Sequence, residues 1–386
     1  NEYIKKPELN IEYIKYKSLV SYFAKANYTN FDRNHNQYLP VNNQNMGQAG
    51  KRFIAEIGAE ALHPLKYFDL SINGLFLQKK YKLDDKKIKT KSSAIPSMKI
   101  KISSLLRQSS GKSVSLLIPE LVYQKTNYKD QSMDPIFDLH QRNFGNMGEH
   151  GAIYFFGKDR VADTEFLLAR LNWQKKITND SKINVQIIKK NELTESRVIN
   201  SLLKQPIGRD NQIGTNLSFE NKSLRAYFAA NYSQKRNKLN FGHMGIEINL
   251  PETRLIFSRN FQTNVPLLNA ENELDYAEFS IERLIFGNYK FISGLTKDMD
   301  SMKNLESYFG FGYENCCLGF KIYASDKRLS KYNLLNLQSL QFNDASWDKM
   351  ISIENKSRVN FEFELKGLTG GNKRINRFFS NVFTNL

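Results

Sequence analysis

The stretch VNFEFELKG, residues 359–367, decides the fold class. Val359, Phe361, Phe363 and Leu365 alternate with Asn360, Glu362, Glu364 and Lys366. Successive side chains of a strand point to opposite faces, so this segment carries one apolar and one polar face. The same period of two runs outward through the chain. Phe53, Ala55, Ile57, Ala59 and Ala61 alternate with Glu56, Gly58 and Glu60. Phe68, Leu70 and Ile72 alternate with Asp69, Ser71 and Asn73, and Ala277, Phe279 and Ile281 with Glu278, Ser280 and Glu282. Comparable segments lie at 9–16, 19–28, 98–106, 114–123, 165–173, 183–188, 212–219, 224–232, 239–250, 254–261, 289–295, 305–313 and 316–324. About seventeen strands are predicted, a large number for one sheet. Helical periodicity is confined to a weak candidate at 374–383.

The connections alternate in length. Asn237 marks a short turn and Pro251–Glu252 a tight link, whereas 127–159, 264–273 and 326–349 are long and polar. Short turns on one side and long loops on the other are the habit of outer-membrane barrels. A β-helix needs a short regular repeat and a propeller needs repeated blade motifs, and neither is present. Sandwiches rarely need so many strands. Tyr123, Tyr128, Trp173, Tyr232, Phe261 and Tyr313 fall at strand ends, as interfacial girdles do, although aromatics are also ordinary strand formers. No composition shift divides the chain, so residues 1–386 are read as one domain: all-β, an antiparallel transmembrane β-barrel of the outer-membrane type.

Bulk composition agrees. Of 386 residues, 40% are hydrophobic and 12% aromatic, which excludes a disordered chain. The mean hydropathy of −0.53 does not oppose a barrel, since alternating strands average to polar. The net charge of +17 fits an anionic partner or a Lys- and Asn-rich composition. The lysines are scattered rather than striped, and no nucleic-acid partner is expected. The two cysteines, Cys316 and Cys317, are adjacent and make no disulfide framework. His35, His63, His140, His150 and His243 show no ligand spacing, so neither metal nor cofactor is expected. No signal peptide is read, and no run approaches the ~20 apolar residues of a spanning helix. The sequence therefore reads as a soluble protein or as a barrel lacking its N-terminal part.

The C-terminal quarter resembles one family. YFGFGYENCCLGFKIYASDKRLS (308–330) followed by VNFEFELKGLTG (359–370) is similar to the end of the LptD lipopolysaccharide-assembly proteins. There, a strand with a vicinal Cys pair precedes a last strand ending Leu-(Lys/Arg)-Gly-Leu. LLIPELVYQKTNYKDQSMDPIFD (116–138) resembles the family's Pro-containing strand followed by Tyr, a basic residue and Asp-Gln. FFGKDRVADTEFLLARL (155–171) resembles its Gly-x-Asp-Arg-(Ile/Val)-Ala loop and following strand, and PELNIEY near the start is consistent. Family members are longer, carrying an N-terminal periplasmic jellyroll and first barrel strands. The resemblance thus implies that this chain is an incomplete, C-terminal part of a larger barrel.

It also implies transport rather than covalent chemistry, in the outer membrane of a Gram-negative bacterium. A polar lumen would carry the lipopolysaccharide head, and a seam between first and last strands would release the acyl chains. The last strand, Val359, Asn360, Phe361, Glu362, Phe363, Glu364, Leu365, Lys366, Gly367 and Leu368, would be one lip. It would also be the signal read by the barrel-assembly machinery. An ordinary closing strand has the same pattern. In the family the Cys pair bonds to cysteines of the N-terminal region, while two buried small apolar residues remain an equal reading of Cys316 and Cys317. Arg254, Arg283, Lys321 and Lys366, in the lumen or loops, are candidates to meet cargo phosphates, or are simply solvated or paired. Implied partners are lipopolysaccharide, an LptE-type lipoprotein plug and an LptA-type periplasmic bridge reached through the N-terminal domain.

Two other classes compete: a passive porin-like channel, and a barrel hydrolase or acyltransferase using lumen acids such as Glu56, Glu60, Glu278, Glu282, Glu362 and Glu364. Those acids follow strand periodicity, and no nucleophile elbow or phosphate loop appears, so no catalytic residue is assigned and no enzyme is expected. Gly310 and Gly312, beside Phe309 and Phe311, predict close strand packing or bending.

Overall fold

The computed structural model describes the chain except residues 1–2, 34–48, 85–90, 112, 133, 136, 139, 142–154, 157, 179, 199–209, 236, 268–269, 316–317, 329–354 and 366–386. Its strands are β1 (Tyr3–Lys17), β2 (Val20–Arg33), β3 (Gly50–Pro64), β4 (Asp69–Leu83), β5 (Lys91–Ser103), β6 (Leu106–Ser110) and β7 (Ser113–Thr126). Two short strands, β8 (His140–Gln141) and β9 (Phe155–Phe156), pair only with each other. There follow β10 (Glu165–Thr178), β11 (Ser181–Glu192), β12 (Gln212–Glu220), β13 (Leu224–Ser233), β14 (Lys238–Asn249) and β15 (Thr253–Leu267). The last are β16 (Ala270–Phe286), β17 (Tyr289–Asp298), β18 (Asn304–Glu314), β19 (Leu318–Arg328) and β20 (Asn355–Leu365).

Apart from β8 and β9, the strands form one 18-stranded antiparallel meander. β5 and β6 pair successively along β7 without a change of register and act as one arm, so the sheet has seventeen arms. Tight turns join every second pair, at Ser18–Leu19, Gly287–Asn288 and equivalents. Ser18 and Gly287 have φ of 49° and 55°, the left-handed region that glycine enters at little cost. The opposite ends carry the longer connections. β1 and β20 are the sheet edges and are not paired with each other among the described residues. Both run from the long-loop end to the short-turn end. An all-antiparallel closure would therefore need an odd number of further strands between them.

Alternation sorts the side chains by face. One face is apolar over its central band and open to the surroundings, as at Ile57 (61% exposed), Phe279 (46%) and Phe361 (67%). The register keeps this face continuous, placing Ile57 opposite Phe76, Phe257 opposite Phe279, and Ile322 opposite Phe361. Such a surface is stable against hydrocarbon, where exposed apolar area carries no hydration cost. The other, inner face is polar.

Glycines on the inner face accept aromatic rings. Tyr227 lies across Gly245, Tyr308 across Gly294, Tyr323 across Gly310 and Phe23 across Gly58, each pair directly opposite in register. This bears out the close packing read at Gly310 and identifies its partner. The rings of Tyr308 and Tyr323 then pack on a buried group of Tyr227, Ile256 and Ile292.

Three expectations change. Residues 264–273 are not a polar loop: the β15–β16 ladder continues to Leu267 opposite Ala270, with one bulge between Gln262 and Val265. Arg283 lies neither in the lumen nor in a loop. It shares the parity of Phe279 and Ile281 and so belongs to the apolar face. β4 extends well beyond Ile72, to Leu83. The turns at Asn237 (φ 54°) and Pro251–Glu252 are present as predicted. The helix candidate at 374–383 lies outside the described residues.

Candidate functional site

The connection between β7 and β10 does not stand away from the sheet. Its described parts, 127–138 and 158–164, fold back onto the inner face of β2–β4 as a strap, pinned by buried ion pairs. Arg52 on β3 is fully buried and grips Asp138 with both terminal nitrogens, at 2.6 and 2.7 Å. Its Nη1 also donates to Asp159 at 2.7 Å. The other oxygen of Asp159 accepts the backbone N–H groups of Phe137 and Asp138, both at 2.6 Å, and Tyr81 of β4 donates its hydroxyl to the first at 3.3 Å. Lys79, also fully buried, donates to Gln131 Oε1 at 2.6 Å and to the Asp159 carbonyl at 2.9 Å, and lies 3.3 Å from Asp134. Arg160 donates to the Asp134 carbonyl at 2.9 Å.

Three cations thus lie among three aspartates (Asp134, Asp138, Asp159), Arg52 and Lys79 against carboxylates and Arg160 against backbone carbonyls. A balanced, hydrogen-bonded cluster is how buried charge is tolerated. Around it, Phe137 stacks on Phe31 at 4.3 Å and Arg52 lies over the Phe31 ring at 4.9 Å. Burial acts to raise the Asp138 carboxyl, but the Arg52 hydrogen bonds and charge outweigh it and hold Asp138 below the usual carboxylate range. Asp159 is more deeply buried, and burial together with the Asp138 charge pushes it up to about 6. Any proton taken up by the pair therefore goes to Asp159. Burial lowers the Arg160 guanidinium.

Two further staples extend the covering. Asp163 accepts Ser196 Oγ at 2.7 Å and the N–H groups of Arg197 and Val198 at 2.8 and 2.9 Å, tying the β11–β12 connection to the strap. Arg197 also stacks on Tyr128 at 3.9 Å. Glu192 accepts Lys190 Nζ at 2.7 Å and the Asp210 N–H at 2.8 Å, and Asp210 accepts Ser233 at 2.7 Å. Beneath them Val122, Phe166, Leu168 and Ile188 form a dry cluster on the inner wall. Asp163→Ala should expose the amides of residues 197 and 198 at a cost of about 1–3 kcal/mol. Hydrogen exchange at those amides measures it, and unchanged protection would refute the staple.

The residues singled out in the sequence are spread along the wall. Arg254 faces inward and pairs with Glu247 at 2.7 Å, inside an alternating series that crosses eight successive strands: Lys182, Glu220, Arg225, Glu247, Arg254, Glu282, Lys290 and Glu314. Lys321 faces inward opposite Gly312 and Glu362. Among the lumen acids, Glu60 accepts Ser71, Glu278 accepts Ser258 and Glu362 accepts Tyr323. They sit on different strands and are not brought together as a catalytic pair. On β20, Val359, Phe361 and Phe363 are on the apolar face, and Asn360 and Glu362 on the inner face, as predicted. The side chains of Glu364 and Leu365, and all of Lys366, Gly367, Leu368, Cys316 and Cys317, lie outside the described residues.

Arg52, Lys79, Tyr81 and Phe31 were not singled out in the sequence. The usable signal was parity: Arg52 and Lys79 take inner positions flanked by apolar or aromatic inner neighbours, Ile54 and Tyr81, where an unpaired charge would be costly.

No protein-family model matches the chain. It is 25% identical over 222 residues to the LPS-assembly protein LptD of Cupriavidus necator, a match covering 54% of this chain and 26% of that protein. With the LPS-assembly protein LptD of Acinetobacter baumannii it is 20% identical over 278 residues, covering 70% of this chain and 32% of that protein. The chain therefore spans about a quarter to a third of the length of the curated relatives it matches. Among solved structures it is similar to the siderophore receptor PirA of Acinetobacter baumannii, with 8% identity, a TM-score of 0.42, and coverage of 93% of this chain and 64% of that one. A Rh. blastica porin mutant gives 8% identity and a TM-score of 0.28, covering 83% of this chain and 95% of the porin. The chain is thus a distant relative, over part of their length, of proteins named for LPS assembly.

Proposed function

We propose that this chain is the barrel portion of an outer-membrane translocon that inserts lipopolysaccharide into the outer leaflet. The observation that carries the reading is the distant sequence similarity to LPS-assembly proteins, over 54% and 70% of the chain in the two matches. The two faces supply the physics. A charged sugar head needs a polar path, which the inner wall offers, and the acyl chains need lipid, which the opposite face meets. The free edge of β20 is one lip of a lateral seam. The same edge serves the barrel-assembly machinery during folding. The strap narrows the surface end of the lumen. An LptE-type lipoprotein fills the lumen, and an LptA-type bridge delivers cargo to an N-terminal domain of the whole protein.

A polar inner wall also favours a passive porin-like channel, which predicts steady conductance in planar bilayers. Buried ion pairs folding a connection onto that wall oppose an open pore. Depleting the gene and measuring surface lipopolysaccharide tests the proposal. A severe fall is expected, and unchanged levels with intact conductance would establish the channel instead.

A further inference from the structure

At the long-loop end of β3 and β4, the outward face changes from apolar to basic within two residues. Lys51 stands directly opposite Lys82, and Phe53 directly opposite Lys80. All three lysines are exposed and share the outward parity of Phe53, Ile57, Ile72 and Phe76, which are exposed beside them. Among the described residues, no ion pair engages Lys51, Lys80 or Lys82. Like charges directly opposite on neighbouring strands are destabilising. Other facing charges include pairs of opposite sign, as at Lys182–Glu220 and Arg225–Glu247, and where Lys176 faces Lys182, Glu220 lies 2.8 Å from Lys182.

We infer that Lys51, Lys80 and Lys82 form a binding site for the phosphorylated headgroup of a lipid in the surrounding outer leaflet. The long-loop end of an outer-membrane barrel faces that leaflet. Lysine stems can lie along the apolar wall while their ammonium groups reach headgroup level. An anion held between Lys51 and Lys82 relieves their repulsion, and the exposed Phe53, Phe76 and Ile57 below it receive acyl chains. The apolar surface beneath the cations selects a lipid over a free anion. This site is on the outside of the wall and is separate from the transport path. It rests on the outer-membrane placement proposed above but not on transport.

The test is native mass spectrometry of the full chain in detergent with bisphosphorylated lipid A, dephosphorylated lipid A and inorganic phosphate as probes. Wild type should retain bisphosphorylated lipid A in strong preference to the dephosphorylated form. The triple variant K51Q/K80Q/K82Q should bind it about fivefold more weakly per lysine, roughly a hundredfold in all. K51R/K80R/K82R should bind like wild type, which controls for folding. Equal binding by the Gln variant, no preference for phosphorylated lipid, or displacement by inorganic phosphate at equal concentration would each overturn the inference. Because the readout needs no transport, a failed depletion experiment leaves this result standing, and the converse holds.

Discussion

Asp159→Ala is expected to release the strap from the inner wall. The substitution strands Arg52 as a buried cation with one carboxylate instead of two. It also removes the acceptor for the Phe137 and Asp138 N–H groups and for Tyr81. Breaking a buried ion pair from one side costs about 3–5 kcal/mol, more than a surface-lying connection of this size can absorb. The strap should detach while the strand ladder persists. Arg160, only 2% exposed, supplies the readout. Trypsin should cut after Arg160 in the variant and not in the native protein, while β3 and β4 stay protected. Removing both partners, R52A/D159A, should cost less than the sum of the single changes, because the two share one buried pairing. Continued protection of Arg160 in D159A would mean that apolar packing of Phe137 on Phe31, rather than charge, holds the strap.

Gly310→Val should prevent normal folding of the C-terminal strands. A Cβ at Gly310 would meet the Ile322 carbonyl at 2.2 Å and the Tyr323 Cβ at 2.4 Å. Backbone and Cβ atoms cannot rotate away, so the strands would have to separate or Tyr323 leave the wall. Overpacking costs about 1–3 kcal/mol in ordinary cores and more where backbone is the obstacle. Gly74→Ala is the control, since nothing lies within 4 Å of its added Cβ. Urea unfolding in detergent should show a large loss of stability for the Gly310 variant and little change for Gly74→Ala. Equal stability of the two would refute the ring-over-glycine packing.

The strands that were plainest in the sequence are those with one wall in solvent. Residues 359–363 and 55–61 alternate cleanly because one side is exposed and apolar and the other belongs to the polar inner wall. β4 beyond Ile72 did not, since Leu75, Leu77 and Tyr81 occupy inner positions where alternation calls for polar residues. The strap explains Tyr81: with the inner wall covered there, an aromatic is as suitable inside as outside. Phe166 and Leu168 on β10 break the alternation because they pack with Val122 and Ile188 in a buried group on the inner wall. The 264–273 hairpin was missed because Asn264, Pro266, Asn269 and Asn272 interrupt it with residues typical of turns.

The candidate site was legible only as two blocks of family-like sequence, 116–138 and 155–171, with no role attached. The structure joins them. Gln131 donates to the Val161 carbonyl at 2.7 Å and accepts the Val161 N–H at 3.0 Å. Their anchor, Arg52, lies 107 residues from Asp159, and no local pattern reports a pairing of that length. β1 and β20 could be placed as strands, but that they run the same way follows only from counting every intervening arm.

The central claim is that lipopolysaccharide passes along the inner wall. Site-specific photo-crosslinking in cells tests it most directly, with a photoreactive residue at inner Arg254 or Glu282 and, in parallel, at outward Phe257 or Phe279. During a pulse of newly made lipopolysaccharide, the inner positions should form adducts that rise and then decay. The outward positions should form adducts that persist, since they face the finished leaflet. Adducts only at the outward positions, with none at any time on the inner wall, would contradict the account.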